Sequence, residues 1–114
     1  MNIERIDPAQ RWSEAVIHND TVYYTSVPEN LDDDATAQTG NTLAAIDVLL
    51  ERVGSDKSRI LDATIFLANG DDFAAMNAAW DAWVVAGSAP VRCTVEARLM
   101  NPKYKVEIKI IAAL

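Results

Sequence analysis

Two side chains in the last quarter of the chain are the ones best suited to chemistry: Arg92, in the alternating run Val91 to Leu99, and Glu107, in the alternating run Tyr104 to Ala112. A guanidinium presents a planar fork of donors that grips a carboxylate through two parallel charge-assisted bonds. A carboxylate one hydrogen bond from a water can orient that water and shuttle its proton. The pair therefore suits water addition beside a carboxylate-bearing carbon. The residues alone leave a plainer reading open. Arg92 could serve a cross-strand ion pair on a solvated sheet face, worth about 0.2–1 kcal/mol, and Glu107 could pair with a strand lysine. His18 lies beside the Asn19-Asp20 turn, and nothing pairs it with a nucleophile. Cys93, the sole cysteine, reads as a buried apolar residue on the face opposite Arg92. It allows neither an intrachain disulfide nor a cysteine-based metal cage.

These side chains need elements to hold them. Ala15 to Val27 reads as a hairpin about Asn19-Asp20, with Thr21, Val22, Tyr23, Tyr24 and Thr25 as strand formers. The acidic run Asp32-Asp33-Asp34 suits the first turn of a helix, where carboxylates meet the positive end of the dipole, rather than a metal loop. That helix runs to Val53, with Leu43, Ile46, Leu50 and Val53 as its buried stripe and Gly54 as its stop. Ile60 to Ala68 is a central strand closed by Asn69-Gly70. Asp71 and Asp72 open a second helix whose face carries Phe73, Met76, Trp80 and Trp83 or Val84, ended by Gly87 and Pro90. The two alternating runs then form two long strands.

The order ββαβαββ defines an α+β fold, a mixed sheet with two helices on one face. The other face would carry Arg92, Thr94, Glu96 and Glu107, and is either solvated or an oligomer interface. If the last two strands form a hairpin around Met100 to Lys103, Arg92 faces Ile111, and Glu107 lies four residues along, roughly 13 Å away. The two then share a site only across subunits or through a bulge.

With 114 residues, half of them hydrophobic, the chain fits one domain spanning 1–114. A net charge of -7 and one histidine leave no basic surface for phosphates, which argues against a nucleic-acid partner. The lysines from Lys103 to Lys109 interleave with Tyr104, Val106 and Ile108 as on a strand's outer face. A single cysteine fits a reducing compartment, and no apolar run is long enough for a signal peptide or a membrane span. The expectation is a soluble, cytoplasmic protein with no membrane association.

The stretch Pro90-Val91-Arg92-Cys93-Thr94-Val95, then Arg98, Met100 and Val106-Glu107-Ile108, resembles the signature of the YjgF/RidA family in type and spacing. Tyr23-Tyr24-Thr25, Leu61 to Leu67 and Asp72 to Asn77 extend the resemblance over nearly the whole chain, nearest to the YoaB branch, also named after RutC. The resemblance implies a homotrimer whose sheets form a central barrel, with active sites between subunits. It implies hydrolysis of small 2-imino acids, 2-aminoacrylate and its relatives, to 2-oxo acids and ammonia, with no cofactor and no metal. Arg92 would anchor the substrate carboxylate and Glu107 would handle the water. Thr94 stands where many relatives have a cysteine near that carboxylate, and its hydroxyl could donate a similar bond. Ser26 stands where relatives often have glycine contacting substrate through the backbone. Asn77 matches a position near the cleft, and Trp12 replaces an aromatic lid residue. The alternative is a non-catalytic trimer that binds 2-oxo acids or similar small carboxylates at the same arginine.

Overall fold

The computed structural model describes residues 2–114. It opens with a strand that hydropathy does not announce, β1 (Glu4–Pro8), in which only Ile6 is buried. The sheet therefore has six strands, one more than the alternation predicts. Asp7 takes a positive φ of 48°, and its carboxylate accepts two bonds from Arg52, at 2.7 and 3.1 Å. Those bonds hold the Asp7 carboxyl below its ordinary pKa. β2 (Ser13–His18) and β3 (Thr21–Ser26) form the expected hairpin. Asn19 and Asp20 both adopt left-handed backbone, φ 52° and 57°, the turn geometry whose twist matches that of the flanking strands.

The acidic run lies just ahead of the first helical turn instead of within it: the Asp34 carboxylate accepts the Ala37 N–H at 2.9 Å and caps α1 (Ala35–Arg52), whose first turn holds no acidic residue. Gly54, at φ 83°, follows its end. Leu43, Ile46 and Leu50 are buried as the stripe predicts, with Leu49 beside them and Val53 packed at the margin. β4 (Ile60–Leu67) follows, then a 3₁₀ turn over Gly70–Asp72 and α2 (Phe73–Trp83). Met76 and Trp80 seat α2 on the core, whereas Phe73, in its first turn, is 48% exposed and leaves the expected stripe.

The last two strands, β5 (Val91–Glu96) and β6 (Val106–Ala113), do not form a hairpin. The sheet order is β1-β2-β3-β6-β4-β5, so β4 lies between them. α2 is the crossover that brings the chain back to lay β5 parallel to β4, while β6 runs antiparallel to both β3 and β4. β5 also stops at Glu96 instead of Leu99: its last registered partner is Leu67, the end of β4, and the Ala97 N–H closes the pairing on the Leu67 carbonyl at 2.8 Å. Both helices cover one sheet face, with Val22, Ile65, Ile108 and Ile110 fully buried beneath them.

Gln38 fixes the segment between β5 and β6. This fully buried side chain donates to the Lys103 carbonyl at 3.0 Å and to the Leu31 carbonyl at 3.2 Å, and accepts the Lys105 N–H at 2.8 Å. Further along the same helix, Thr42 donates to the Gln38 carbonyl at 2.8 Å, and Ser26 donates to the Thr42 carbonyl at 2.8 Å. No helix among the described residues is long and apolar enough to cross a membrane. Substituting Gln38→Leu keeps the bulk but strands buried main-chain groups. The expected loss of unfolding free energy is about 3 kcal/mol, read as a lower urea midpoint at unchanged slope.

Candidate functional site

The faces of the sheet follow from register. Arg92 pairs with Ala63, and Ala63 pairs on its other side with Ile110. Ala63 and Ile110 are fully buried on the helix side, so Arg92 leaves the sheet on that side too. Thr94, paired with Ile65, and Glu96, paired with Leu67, follow by the same parity. Glu107 pairs with Phe66, on rows that face the uncovered side. The expectation that Arg92, Thr94, Glu96 and Glu107 share one face is therefore corrected. Its premise was that the apolar set of β5 faces the helices, and here that set faces away: Val91 is 74% and Val95 44% exposed. Cys93 is exposed for the same reason rather than buried.

Arg92 and Asn77 are brought together. The guanidinium Nη1 donates to the Asn77 Oδ1 at 2.8 Å, and its central carbon lies 5.2 Å from the centroid of the Trp80 ring. Asn77 and Trp80, three residues apart on α2, share a helix flank. The fork is thus held from two directions, in a setting where stacking on an indole favours arginine over lysine. Two residues along β5, the Thr94 hydroxyl is buried and has no hydrogen-bond partner. β5 is the outermost strand, so one edge of its backbone is also free of strand pairing.

Trp12 and Glu107 are brought together elsewhere, lining an open cleft of about 760 Å³. Tyr23, Thr25, Met100 and Tyr104 complete the part of its wall nearest Glu107. Tyr24 lines the same cleft, and burial pushes its phenol above its ordinary pKa. Ser26 is 1% exposed, and its hydroxyl is engaged with α1. Only its backbone, at the end of β3, stands near the Thr25 and Val27 positions that line the cleft.

Arg92 and Glu107 do not meet within one chain. They lie two strands apart across the sheet and three residues apart along it, about 14 Å between backbones, and they leave by opposite faces. Residue reasoning overlooked Tyr104 as a wall residue. Its position, at the start of the last alternating run, was visible, but which loop it would border depends on β4 separating β5 from β6.

The sequence profile of the family described as Endoribonuclease L-PSP matches residues 2–114. The chain is 74% identical to the RutC family protein YoaB of Escherichia coli (strain K12) over 114 residues, the full length of both. It is 30% identical over 82 residues, 70% of this chain and 64% of the other, to a protein of Salmonella typhimurium named 2-iminobutanoate/2-iminopropanoate deaminase. Among solved structures, a YjgF-family protein of Neisseria meningitidis superposes with a TM-score of 0.95 at 47% identity, covering 99% of this chain and 95% of that one.

The lone Thr94 hydroxyl has a measurable consequence. Thr94→Val removes an unpaired buried polar group at nearly constant shape, so unfolding free energy should rise by about 1 kcal/mol. A fall in the denaturation midpoint would mean that the hydroxyl is paired.

Proposed function

The chain belongs to the Endoribonuclease L-PSP family, also called YjgF/RutC, and on that premise we propose that it hydrolyses reactive 2-imino acids to 2-oxo acids and ammonia. The observation that carries this reading is the Arg92 guanidinium, braced by Asn77 and stacked on Trp80, beside a buried hydroxyl with no partner. Such a set suits a planar carboxylate: two parallel bonds from the fork and a third donor from Thr94.

Hydrolysis needs water at the imine carbon. Glu107 accepts a proton from that water as its oxygen bonds to carbon and the C=N π pair moves to nitrogen, and it hands that proton to nitrogen, giving a carbinolamine. Glu107 then takes the hydroxyl proton as the C=O bond forms and the C–N bond breaks, and returns it to the departing nitrogen, so that ammonia leaves with the 2-oxo acid behind. Atoms balance with water as the only co-reactant, so no cofactor is called for. Free imines hydrolyse in water unaided, and positioning with one acid/base group supplies the modest further rate required.

Because Arg92 and Glu107 are about 14 Å apart and on opposite faces, the reading requires Arg92 of one protomer to meet Glu107 of the next. The exposed apolar row Val91, Cys93 and Val95 on the uncovered sheet face supports a homotrimer that buries it. The endoribonuclease of the family description is not carried over, because a chain of net charge -7 repels a phosphate backbone. The named activity of the Salmonella relative supports the imine reading from a distance of 30% identity.

The test generates 2-aminoacrylate with a serine dehydratase and traps it with semicarbazide. The wild type should lower the trapped fraction, Arg92→Ala should abolish the effect, and Glu107→Gln should cut the rate about 100-fold. No reduction by the wild type, with 2-oxobutanoate still bound, would replace the enzyme by a binding protein. Full activity in a dilute monomer would overturn the shared site.

A further inference from the structure

We propose that Gln38 is a positioning residue for Glu107: its buried amide holds the chain that leads into Glu107 at the point where strand pairing stops. The proposal rests on the imine-hydrolase reading above and deepens it, by naming what fixes the water-handling carboxylate.

The register shows where the sheet's support ends. Ser26 pairs with Ile108, and that is the last rung between β3 and β6. Continued antiparallel pairing would set Val27 against Glu107 and Pro28 against Val106. β3 ends at Ser26 instead, and Pro28 has no N–H to donate to a ladder. On its other edge β6 is still paired, Glu107 with Phe66 and Val106 with Leu67. Glu107 therefore stands on an overhang with a strand neighbour on one side only.

Gln38 supplies the second hold. Its Oε1 accepts the Lys105 N–H at 2.8 Å and its Nε2 donates to the Lys103 carbonyl at 3.0 Å, one acceptor and one donor, as a strand neighbour would offer. The same Nε2 donates to the Leu31 carbonyl at 3.2 Å, which ties the loop after β3 to this segment. At the surface, Lys105 Nζ donates to the Asp33 carbonyl at 2.9 Å and Lys103 meets Asp32 at 3.5 Å. Exposed contacts of that kind contribute little. Gln38 is fully buried, and the groups it holds have no water to turn to.

The hold is selective. The side-chain bonds of Gln38 reach Leu31, Asp33, Lys103 and Lys105, and among the described residues none reaches β5. Loosening it shifts Glu107 and leaves Arg92, Asn77 and Thr94 in place, so turnover falls while carboxylate binding stays.

The experiment measures hydrolysis of the imine made by serine dehydratase, at a temperature where circular dichroism shows each variant folded. Gln38→Met should lower kcat by about tenfold to a hundredfold, with KM and 2-oxobutanoate affinity within about twofold of the wild type. Amide exchange should quicken about tenfold at Lys105 to Glu107 and stay unchanged at Arg92 to Thr94. Gln38→Glu, which has the same shape, carries the test where Gln38→Met does not fold. Its kcat relative to the wild type should recover as pH falls, because only the protonated carboxyl can donate to the Lys103 carbonyl. The control is Thr39→Val: Thr39 is equally buried on α1, but its hydroxyl bonds back to the Ala35 carbonyl at 2.7 Å, and kcat should not change. Wild-type kcat in a folded Gln38→Met, an equal kcat loss in Thr39→Val, or a loss confined to KM overturns the positioning role and leaves the hydrolase reading standing. A wild type that hydrolyses no imine overturns both.

Discussion

Because Arg92 pairs with Ala63 across a parallel ladder, the guanidinium leaves the sheet on the side that α1 and α2 cover. A slip of one residue in that register would send Arg92 and Thr94 to the open face and turn Val91, Cys93 and Val95 inward. The register is set by the α2 crossover, which returns the chain beside β4, and by the fully buried Ala63 and Ile65 opposite Arg92 and Thr94. Everything chemical depends on this pairing. It delivers the fork to Asn77 and Trp80, leaves the Thr94 hydroxyl unpaired, and separates both from Glu107. A partly buried cation is tolerable there because the indole face and the Asn77 carbonyl oxygen replace part of its hydration.

The second constraint is polar and buried. Gln38 offers its amide to carbonyls on two segments and takes a main-chain N–H from a third position, so α1 and the β5–β6 connection cannot separate without stranding several groups at once. Thr39 and Thr42 turn their hydroxyls back onto α1 carbonyls, at 2.7 and 2.8 Å, and Ser26 adds a bond from the sheet. This network lies in the interior, while the unpaired Thr94 hydroxyl lies at the sheet edge. The chain satisfies the four buried polar side chains of its core, Ser26, Gln38, Thr39 and Thr42, and leaves two buried side-chain oxygens without a partner, Asn30 Oδ1 and, beside Arg92, the Thr94 hydroxyl.

Much of the fold was legible because its signals are local. The Asn19-Asp20 pair accepts left-handed backbone, Asp34 offers a cap, and the 3.6-residue spacing from Leu43 to Leu50 permits one face only. β1 escaped because Glu4-Arg5-Ile6-Asp7-Pro8 has one buried residue and no alternation to read. The neighbours of β5 escaped because alternation tells which residues share a face but not which strand lies beside it. Inserting β4 between β5 and β6 is a long-range fact, and with it went the assignment of Arg92 and Glu107 to one face. Within the site, Arg92 and Glu107 stood out as residue types, and Asn77 entered only through family likeness, as a position near the cleft; its bond to Arg92 was not anticipated. The Trp80 stack was not anticipated, since a tryptophan at helical spacing reads as core, and at 5% exposure it is core as well as platform.

The division of the chain into two half-sites has a physical consequence for any chemistry it performs. In the proposed reading, Arg92, Asn77 and Thr94 would be the carboxylate-binding half at the β5 edge, and Glu107, Trp12 and Tyr104, which line one open cleft, would be the water-handling half. Neither half completes a hydrolytic site, so in the proposed trimer the association free energy also supplies the orientation that such a reaction needs. The parts would be held by folded elements and not by loops: Arg92 by an indole and an amide, Glu107 by a strand paired on both edges. That rigidity suits a small, planar, short-lived substrate. A reacting group held by paired strands and packed rings needs no further ordering when substrate arrives, so the positioning such a reaction requires is already supplied by the fold.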